Sequence, residues 1–311
     1  MNMNSIYIDA PMTDDARREA LYRGQLLVYS ATPNSTRLVE FTRGMLREAF
    51  GSLDPETAQY HMSVEEYAAL LADLKPKFIH HPKSKEFLRA ILRDLDCNPE
   101  KTYFDVPRMR SSTSDNYLTS GIAYAFHPHR DCWYSAPFCQ INFWIPVYPI
   151  QSENSMAFHP AYWSRGIRNG SREYNYDEWN RISRQSAAQH VKTDTRKQPK
   201  AEEVIELDPQ IRVILPPGGI LLFSAAQMHS SVPNTSGRTR FSIDFRTVHS
   251  DDVTQRRGAP NVDSECTGTT MRDYLRVSDL AHVPEQLIAM YDTPPCLTST
   301  DSDAVQPATR S

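Results

Sequence analysis

The sequence lacks the features of a protein that enters a membrane, leaves the cell or binds nucleic acid. No apolar run in its 311 residues approaches the roughly 18 residues needed to span a bilayer. The first residues do not follow the basic-then-apolar layout of a signal peptide. The formal net charge is −4, so no excess of positive charge favours nucleic acid or an anionic membrane. We therefore expect a cytoplasmic protein with neither partner.

Cysteine is scarce, and its spacing has no pattern. The five cysteines, Cys97, Cys132, Cys139, Cys266 and Cys296, are odd in number, scattered and without a CxxC pair. Such a distribution is typical of reduced thiols in a cytosolic protein. No internal repeat is visible. The hydrophobic fraction of 40% and the charged fraction of 23% allow a packed core and argue against global disorder.

Helical patterns dominate the first hundred residues. Apolar residues recur at helical spacing over 12–23, 35–50 and 85–95. Ser63 and Glu66 form a capping-box pattern at the start of a further helix. These patterns predict a helical part over residues 1–100.

The pattern of residue types changes at residue 102. Short runs rich in aromatic and β-branched residues then alternate with Pro, Ser, Asn and Gly clusters, which is typical of a sandwich or barrel. We predict a single domain over 1–293, with the strands within about 102–250, a helical part over 251–293 and a disordered tail at 294–311. The predicted strands are TYFDVPRM, GIAYAF, FCQINFWIPVY, SMAFHP, IRVILP, GGILLFSA and TRFSIDFRTV.

A polar segment interrupts the predicted strands between about 164 and 203. It carries a charge cluster at 194–200 and is too long for an ordinary loop. We expect a lid, a small helical insert or a mobile segment there.

Chemistry is suggested first by residues 126–134, FHPHRDCWY. In a strand, His129 and Asp131 would project to one side, with Arg130 on the other. Burying such groups is costly unless they are paired or bind a metal. His127 is the rival to His129, but its spacing of four to Asp131 favours a role in the pocket.

His229 is the best candidate for a third ligand, because it follows an apolar strand that ends at Phe223. Two imidazoles and one carboxylate on one side of a metal are typical of non-haem Fe(II) oxygenases, whose open positions take cosubstrate and dioxygen.

The strand after His229 is predicted to have one polar and one apolar face. Arg240 and Ser242 share the polar face with Asp244 and Arg246. A guanidinium beside a hydroxyl suits a carboxylate ligand. The rival cation is Arg238, which lies in a Ser-Gly turn. Arg246 is a candidate for a substrate anion, although an ion pair with Asp244 or another acid explains it equally well.

Four further side chains complete the candidate pocket. Gln140 and Asn142 lie on one side of their predicted strand and could contact a cofactor or be satisfied within the barrel. Trp133 and Tyr134 could shape a substrate pocket or belong to an aromatic core cluster.

Taken together, these residues resemble the HxD…H…RxS signature of the Fe(II)/2-oxoglutarate-dependent dioxygenases. His129 and Asp131 match the first part, His229 the second, and Arg240 and Ser242 the third. The resemblance covers roughly residues 102–250.

Two segments resemble the phytanoyl-CoA dioxygenase-like branch more narrowly. They are ENSMAFHPAYW at 153–163 and HSSVPNTSGRTRFS at 229–242. Where that branch has Pro-Gly-Ser-His, this chain has His159 to Tyr162. We therefore expect a different lid and substrate region, and phytanoyl-CoA is not assumed to be the substrate.

The resemblance implies a double-stranded β-helix, the jelly-roll or cupin-like barrel, with flanking helices. It implies Fe(II) on His129, Asp131 and His229, with 2-oxoglutarate chelating the iron and meeting Arg240 and Ser242 through its far carboxylate. Dioxygen would be consumed, succinate and CO2 released and a small polar metabolite hydroxylated. Two alternatives are a cupin-type metal enzyme that does not use 2-oxoglutarate and an inactive binding homologue. The first would have no need of Arg240 and Ser242, and the second would be favoured only if iron failed to bind.

Overall fold

The structure is a computed structural model that describes residues 5–118, 127–182 and 198–292. The predicted strand GIAYAF (121–126) and the predicted tail at 294–311 lie outside the described residues. Within the described ranges, no helix is both long and apolar enough to cross a membrane. Four of the cysteines lie in these ranges, and all four are buried free thiols.

The first hundred residues contain the predicted helices. The capping box also forms as predicted: the Ser63 side chain accepts from the backbone of Glu66, and the Glu66 side chain accepts in return. Short helices follow in the second half of the chain. The helices are α1 (Asp14–Tyr22), α2 (Pro33–Phe50), α3 (Val64–His80), α4 (Pro82–Asp94), α5 (Tyr176–Ile182), α6 (Ser250–Gln255) and α7 (Glu285–Ala289).

The strands form two sheets. The larger has the order β1-β2-β8-β5-β10-β3-β11, with β4 also paired to β10, and the smaller has the order β7-β6-β9. The strands are β1 (Ile6–Ile8), β2 (Leu26–Tyr29), β3 (Thr102–Phe104), β4 (Arg108–Ser112), β5 (Ile141–Pro146), β6 (Met156–Phe158), β7 (Ile211–Val213), β8 (Ile220–Ser224), β9 (His229–Ser231), β10 (Arg240–His249) and β11 (Leu275–Arg276).

The two sheets pack face to face at one end. Trp144 and Phe223 of the larger sheet share a buried apolar cluster with Met156 and Phe158 of the smaller. The rings of Phe158 and Phe223 meet edge to face, with centroids 5.0 Å apart. Two packed sheets with helices outside are the arrangement of the predicted jelly roll, although the described strands do not close into a complete barrel.

Strand β10 has the two predicted faces. Its apolar residues Phe241, Ile243 and Phe245 are buried in the main hydrophobic cluster. Its polar residues line a cavity on the other side of the sheet. The same split holds on β5, where Asn142 pairs with Arg246 across the strands. The alternation of residues therefore assigns one face to the core and the other to the site.

The sheet extends beyond the predicted limits of 102 and 250. Strand β2 pairs with β8, so the supposedly helical N-terminal part supplies two strands. At the other end, residues 270–276 were predicted to be helical, but they form a single 3-10 turn followed by β11. These strands have two to four residues, too few for an alternating pattern to distinguish them from loops.

The N-terminal strands give a test of the fold. Leu27 of β2 is 1% exposed, whereas Ile8 of β1 is 72% exposed. Because Leu27→Ala leaves a cavity against β8, it should lower the free energy of unfolding by about 2–5 kcal/mol. Ile8→Ala should change it by about 0.5 kcal/mol or less. Chemical denaturation measures both. Equal effects would show that β2 is not part of the core.

Candidate metal centre and cavity

The three predicted ligands come together at one point. Backbone hydrogen bonds of 2.9 and 3.0 Å join His129 and His229. Asp131 Oδ1 lies 3.5 Å from His129 Nε2 and 3.9 Å from His229 Nε2. One donor atom from each residue lies within 4.8 Å of the other two. This spacing fits three ligands on one side of a single metal ion.

Backbone carbonyls fix the tautomers of both histidines. His129 Nδ1 lies 2.7 Å from the carbonyl oxygen of His127, and His229 Nδ1 lies 2.9 Å from that of Gln227. A carbonyl only accepts, so each Nδ1 carries the proton and donates it. Each Nε2 is then left with a lone pair that points into the site, which is the arrangement of a metal-binding histidine.

Asp131 reaches the site from a turn rather than from the predicted strand. Among residues 127–134, which the structure describes, His129 alone makes a bridge to the smaller sheet, and Asp131–Tyr134 form a single 3-10 turn. The extended backbone of Arg130 separates the two ligands, so they still face the same side. The expectation of a strand running through His129 and Asp131 was therefore wrong, because the chain turns at the second ligand itself.

The second carboxylate oxygen of Asp131, Oδ2, faces a hydrogen-bond donor and a positively charged side chain. Gln140 Nε2 lies 3.4 Å from Asp131 Oδ2, and Arg246 Nε lies 3.9 Å from it. Burial raises the pKa of Asp131, but the positive charge of Arg246 opposes burial, and that pKa is held well below its usual range. The carboxylate is therefore charged, with Oδ1 free to bind a cation.

His229 is neutral for a different reason. Burial lowers the pKa of His229 to about 3. A neutral imidazole and a carboxylate are the protonation states that a metal ligand needs. Three electron-pair donors that converge without an N–H between them repel one another, and a cation would remove that repulsion. The donor set of two nitrogens and one oxygen fits Fe(II).

A cavity of about 360 Å³ opens beside the three ligands. Its volume lies in the range of small-molecule sites. Four buried polar atoms on its wall have no hydrogen-bond partner within the described part of the chain: Arg240 Nε, Ser242 Oγ, Asn142 Nδ2 and Ser111 Oγ. Buried polar groups are nearly always paired, so these atoms indicate a bound polar molecule.

Arg240 is held in place from behind. Its Nη1 donates to the carbonyl oxygens of Asn154 and Ser155 at 3.0 and 3.1 Å, and its guanidinium lies 5.7 Å from the centre of the Trp144 ring. Burial lowers the pKa of Arg240 to about 10, so the group stays charged at neutral pH. Arg238, the rival cation, has a side chain that is 52% exposed and pairs with Glu56.

Gln140 is satisfied by protein groups. It donates to Asn142 Oδ1 at 2.9 Å and accepts from the Tyr274 hydroxyl at 2.6 Å. Of the pair predicted to contact a cofactor, only Asn142 presents a donor without a partner among the described residues.

A network of ion pairs forms one wall of the cavity. Arg246 lies 3.1 Å from Asp105 and 3.3 Å from Asp244, and Arg108 pairs with Asp105. Arg110 grips Asp244 with two nitrogens at 2.6 and 3.3 Å. Arg246 thus forms the ion pair that was the alternative to substrate binding. Asp105, Arg108 and Arg110 were missed, because in sequence they are ordinary charged residues within or next to short strands.

The remaining substrate candidates divide between cavity, core and surface. Tyr134 lines the cavity and packs edge to face on His129 with centroids 5.6 Å apart. Trp133 does not line it: the ring is fully buried in a separate apolar cluster, and its Nε1 donates to Asp263 at 2.8 Å. His127 is exposed and contributes its carbonyl rather than its side chain. The core alternative therefore describes Trp133 correctly.

The described part of the 164–203 segment is a small helical insert. Residues 183–197, with most of the predicted charge cluster, lie outside the described residues. The insert contains α5 and supplies Tyr174, Tyr176, Trp179 and Asn180 to the cavity wall. Its aromatic side chains face the site, although the segment as a whole is polar.

Comparison with known proteins yields distant structural likenesses. No protein-family model and no curated protein matches the chain. EvdO2 from Micromonospora carbonacea var. aurantiaca matches at 13% identity and a TM-score of 0.42, over 78% of this chain and 93% of its own. The 2-oxoglutarate-dependent epimerase SnoN from nogalamycin biosynthesis matches at 14% and 0.38, over 76% and 84%.

The non-haem monooxygenase ThoJ matches at 12% identity and a TM-score of 0.37, over 71% of both chains. Identities and TM-scores this low carry no argument about function. The function therefore has to be argued from the geometry of the site itself. The narrower resemblance to the phytanoyl-CoA dioxygenase-like branch stays a prediction.

The metal centre gives a second test. His129→Ala, Asp131→Ala and His229→Ala each remove one ligand, so each should weaken Fe(II) binding by more than the roughly 10–100-fold typical of outer partners. Anaerobic titration of the metal-free protein measures the affinity. The matched control is His127→Ala, which removes an exposed ring and leaves the carbonyl in place. Wild-type Fe(II) binding by Asp131→Ala would contradict the assignment.

Proposed function

We propose that the protein is a non-haem Fe(II)- and 2-oxoglutarate-dependent oxygenase that hydroxylates a C–H bond of a small polar metabolite or natural-product intermediate. The observation that carries the proposal is the pairing of two features in one cavity. One is the set of converging donors from His129, Asp131 and His229. The other is the buried guanidinium of Arg240 beside the Ser242 hydroxyl, each with an unsatisfied polar atom.

The second feature identifies the cosubstrate. A charged guanidinium that is buried without a carboxylate in direct contact is costly, unless a ligand supplies the missing charge. The Arg240 fork and the Ser242 hydroxyl suit the far carboxylate of 2-oxoglutarate. The unsatisfied Asn142 Nδ2 can donate to an oxygen of the same molecule. A metal enzyme that does not bind a dicarboxylate would have no need of the Arg240 and Ser242 pair facing the cavity.

The protein residues then have distinct tasks. His129, Asp131 and His229 would hold Fe(II) on one side and leave its other positions open. When bound, Fe(II) with 2-oxoglutarate and dioxygen supplies the oxidising power that attacks a C–H bond, with release of succinate and CO2. Arg240 and Ser242 orient the cosubstrate. The ring of Tyr134 covers His129 and limits the access of water to that side of the centre.

The proposal for the substrate rests on the cavity wall. Ion-paired arginines and aspartates on one side offer hydrogen-bonding groups to a polar molecule. Tyr174 and Trp179 on the insert, whose rings lie 5.9 Å apart, offer an apolar surface for its carbon skeleton. We propose that the substrate lies between these two walls, and that Tyr134 and Arg246 are the predicted substrate residues nearest to the metal ligands.

Succinate formation tests the proposal directly. The purified protein, loaded with Fe(II), is incubated with 2-oxoglutarate, dioxygen and a metabolite extract. Succinate release together with a product that has gained one oxygen atom is the expected result. A cupin-type enzyme of another kind would change the extract without releasing succinate, and an inactive homologue would do neither. Either outcome would overturn the proposed function.

The cosubstrate site gives a third prediction. Arg240→Ala removes one partner of a buried ion pair, which costs about 3–5 kcal/mol, so the Michaelis constant for 2-oxoglutarate should rise several hundred-fold or more. Arg240→Lys should recover only part of the loss, since an ammonium does not reproduce the fork. Ser242→Ala should cost less, about 1.5–3 kcal/mol. Fe(II) affinity should change little in all three variants.

The matched control is Arg238→Ala, which removes an exposed arginine two residues away. It should leave the constant for 2-oxoglutarate unchanged. If Arg238→Ala were impaired and Arg240→Ala were normal, the assignment of the cavity face of β10 would be wrong.

A further inference from the structure

Asp131 differs from the two histidines in how it is held. The rings of His129 and His229 donate to carbonyls two residues earlier in their own segments. The carboxylate of Asp131 lies in a turn whose neighbours are fixed from the far end of the chain. The groups that fix it belong to residues 261–274, which contribute little to the cavity wall and carry no part of the sequence motif.

Asp263 accepts hydrogen bonds from residues on both sides of Asp131 in the turn. Its Oδ2 accepts from Arg130 Nε at 3.0 Å, and its Oδ1 accepts from Trp133 Nε1 at 2.8 Å. Arg130 and Trp133 are fully buried, with 0% exposure. One carboxylate therefore spans the residue before Asp131 and the residue two positions after it, so that the turn cannot rotate without breaking a buried contact.

Arg130, which Asp263 holds, also contacts the segment that carries His229. Arg130 Nη1 donates to the carbonyl oxygen of Ala226 at 2.5 Å, and the backbone N–H of Cys132 donates to Ala225 at 3.2 Å. By holding the guanidinium, Asp263 links the Asp131 turn to the chain just before His229.

Neighbouring residues hold the rest of the turn. Ser264 Oγ donates to the carbonyl oxygen of Cys132 at 2.6 Å. Ser135 Oγ donates to the carbonyl oxygen of Thr267 at 2.7 Å, and the backbone N–H of Thr270 donates to Ser135 at 3.1 Å. Each residue of the turn from 130 to 135, apart from Tyr134 and Asp131 itself, thus contacts the 261–274 segment directly.

Asp131 is reached through Gln140. The Tyr274 hydroxyl lies 2.6 Å from Gln140 Oε1, and Gln140 Nε2 lies 3.4 Å from Asp131 Oδ2. Because a carboxylate only accepts, the amide nitrogen must face Asp131. The amide oxygen is then left to accept from Tyr274. This chain of hydrogen bonds directs Oδ2 away from the histidines and leaves Oδ1 toward them.

The segment is closely packed at its start. A Cβ atom on Gly166 would lie 2.5 Å from the Val262 carbonyl oxygen, and one on Gly258 would lie 2.6 Å from the backbone of Phe138. Asn261 closes the turn around Asp263 by accepting from the backbone of Ser264 at 2.9 Å. The segment is therefore in close backbone contact with Gly166 at Val262, and the residues just before it are in close contact with Phe138.

We propose that residues 261–274 set the position of the metal-binding carboxylate, with Asp263 as the main positioning residue and Tyr274 as a second one acting through Gln140. The inference rests on the metal centre of the proposed function. It assigns a role to a C-terminal segment that the HxD…H…RxS pattern leaves unexplained.

The test compares Asp263→Asn with a matched buried aspartate. Asp252 has a side chain with 0% exposure, accepts from Tyr22 at 2.7 Å and pairs with Arg257, but it contacts no part of the 130–135 turn. Asp252→Asn should therefore cost stability without affecting the metal. The readouts are thermal unfolding of the metal-free protein, anaerobic Fe(II) titration and the visible absorption spectrum of bound Co(II), which reports ligand geometry.

We expect both variants to unfold at lower temperature than the wild type. Only Asp263→Asn should bind Fe(II) about 10–100-fold more weakly and change the Co(II) spectrum. Wild-type affinity and spectrum in Asp263→Asn would overturn the positioning role and leave the proposed function intact. Equal loss of affinity in Asp252→Asn would also overturn it, since general destabilisation would then explain both. If the wild type bound neither metal, both proposals would fail.

Tyr274→Phe tests the positioning role of the segment if Asp263→Asn does not fold. It removes one hydroxyl, and the ring keeps its packing. Loss of a single hydrogen bond predicts Fe(II) binding that is weaker by about tenfold or less, with a changed Co(II) spectrum. An unchanged affinity and spectrum in a folded Tyr274→Phe protein would contradict the role assigned to the segment.

Discussion

Mutual repulsion among three lone pairs is the constraint on which this site depends. Two imidazole nitrogens and a carboxylate oxygen converge within 4.8 Å, and the carbonyls behind both histidines leave no N–H between them. A chain without rigid supports would relieve the repulsion by turning the side chains apart. The contacts that hold these side chains therefore keep the donors available to a cation. They come from three distant parts of the sequence: the carbonyl of His127, the carbonyl of Gln227 and the 261–274 segment.

The two packed sheets of the jelly roll provide further supports for the site. Backbone bonds between His129 and His229 fix two ligands at the edge of the smaller sheet. The larger sheet presents Arg240 and Ser242 on the face opposite its phenylalanine core, so the strand that stabilises the fold also carries the anion-binding groups. Between these two places, Arg246 connects the charge of Asp131 to Asp105 and Asp244. The site is thus continuous with the packing of both sheets.

The parts of this arrangement that the sequence could predict are those with a local pattern. Strand β10, with ten residues, has a period that identifies both of its faces, and the capping box at Ser63 marks the start of α3. Strands β1, β2 and β11 are too short for any period, and their pairing partners lie far away in sequence. The turn after His129 was missed because nothing local distinguishes it from a strand. Asp263 has no local signal at all: its importance comes only from the two side chains that it joins across 130 and more residues of chain.

The most direct test of the account is an experimental structure of the protein, prepared without oxygen and loaded with Fe(II) and 2-oxoglutarate. We expect a metal ion bound by His129 Nε2, His229 Nε2 and Asp131 Oδ1. We also expect the far carboxylate of 2-oxoglutarate to contact both Arg240 and Ser242. A metal ion held by other residues, or a cosubstrate whose far carboxylate lies on Arg246 and does not touch Arg240, would contradict it.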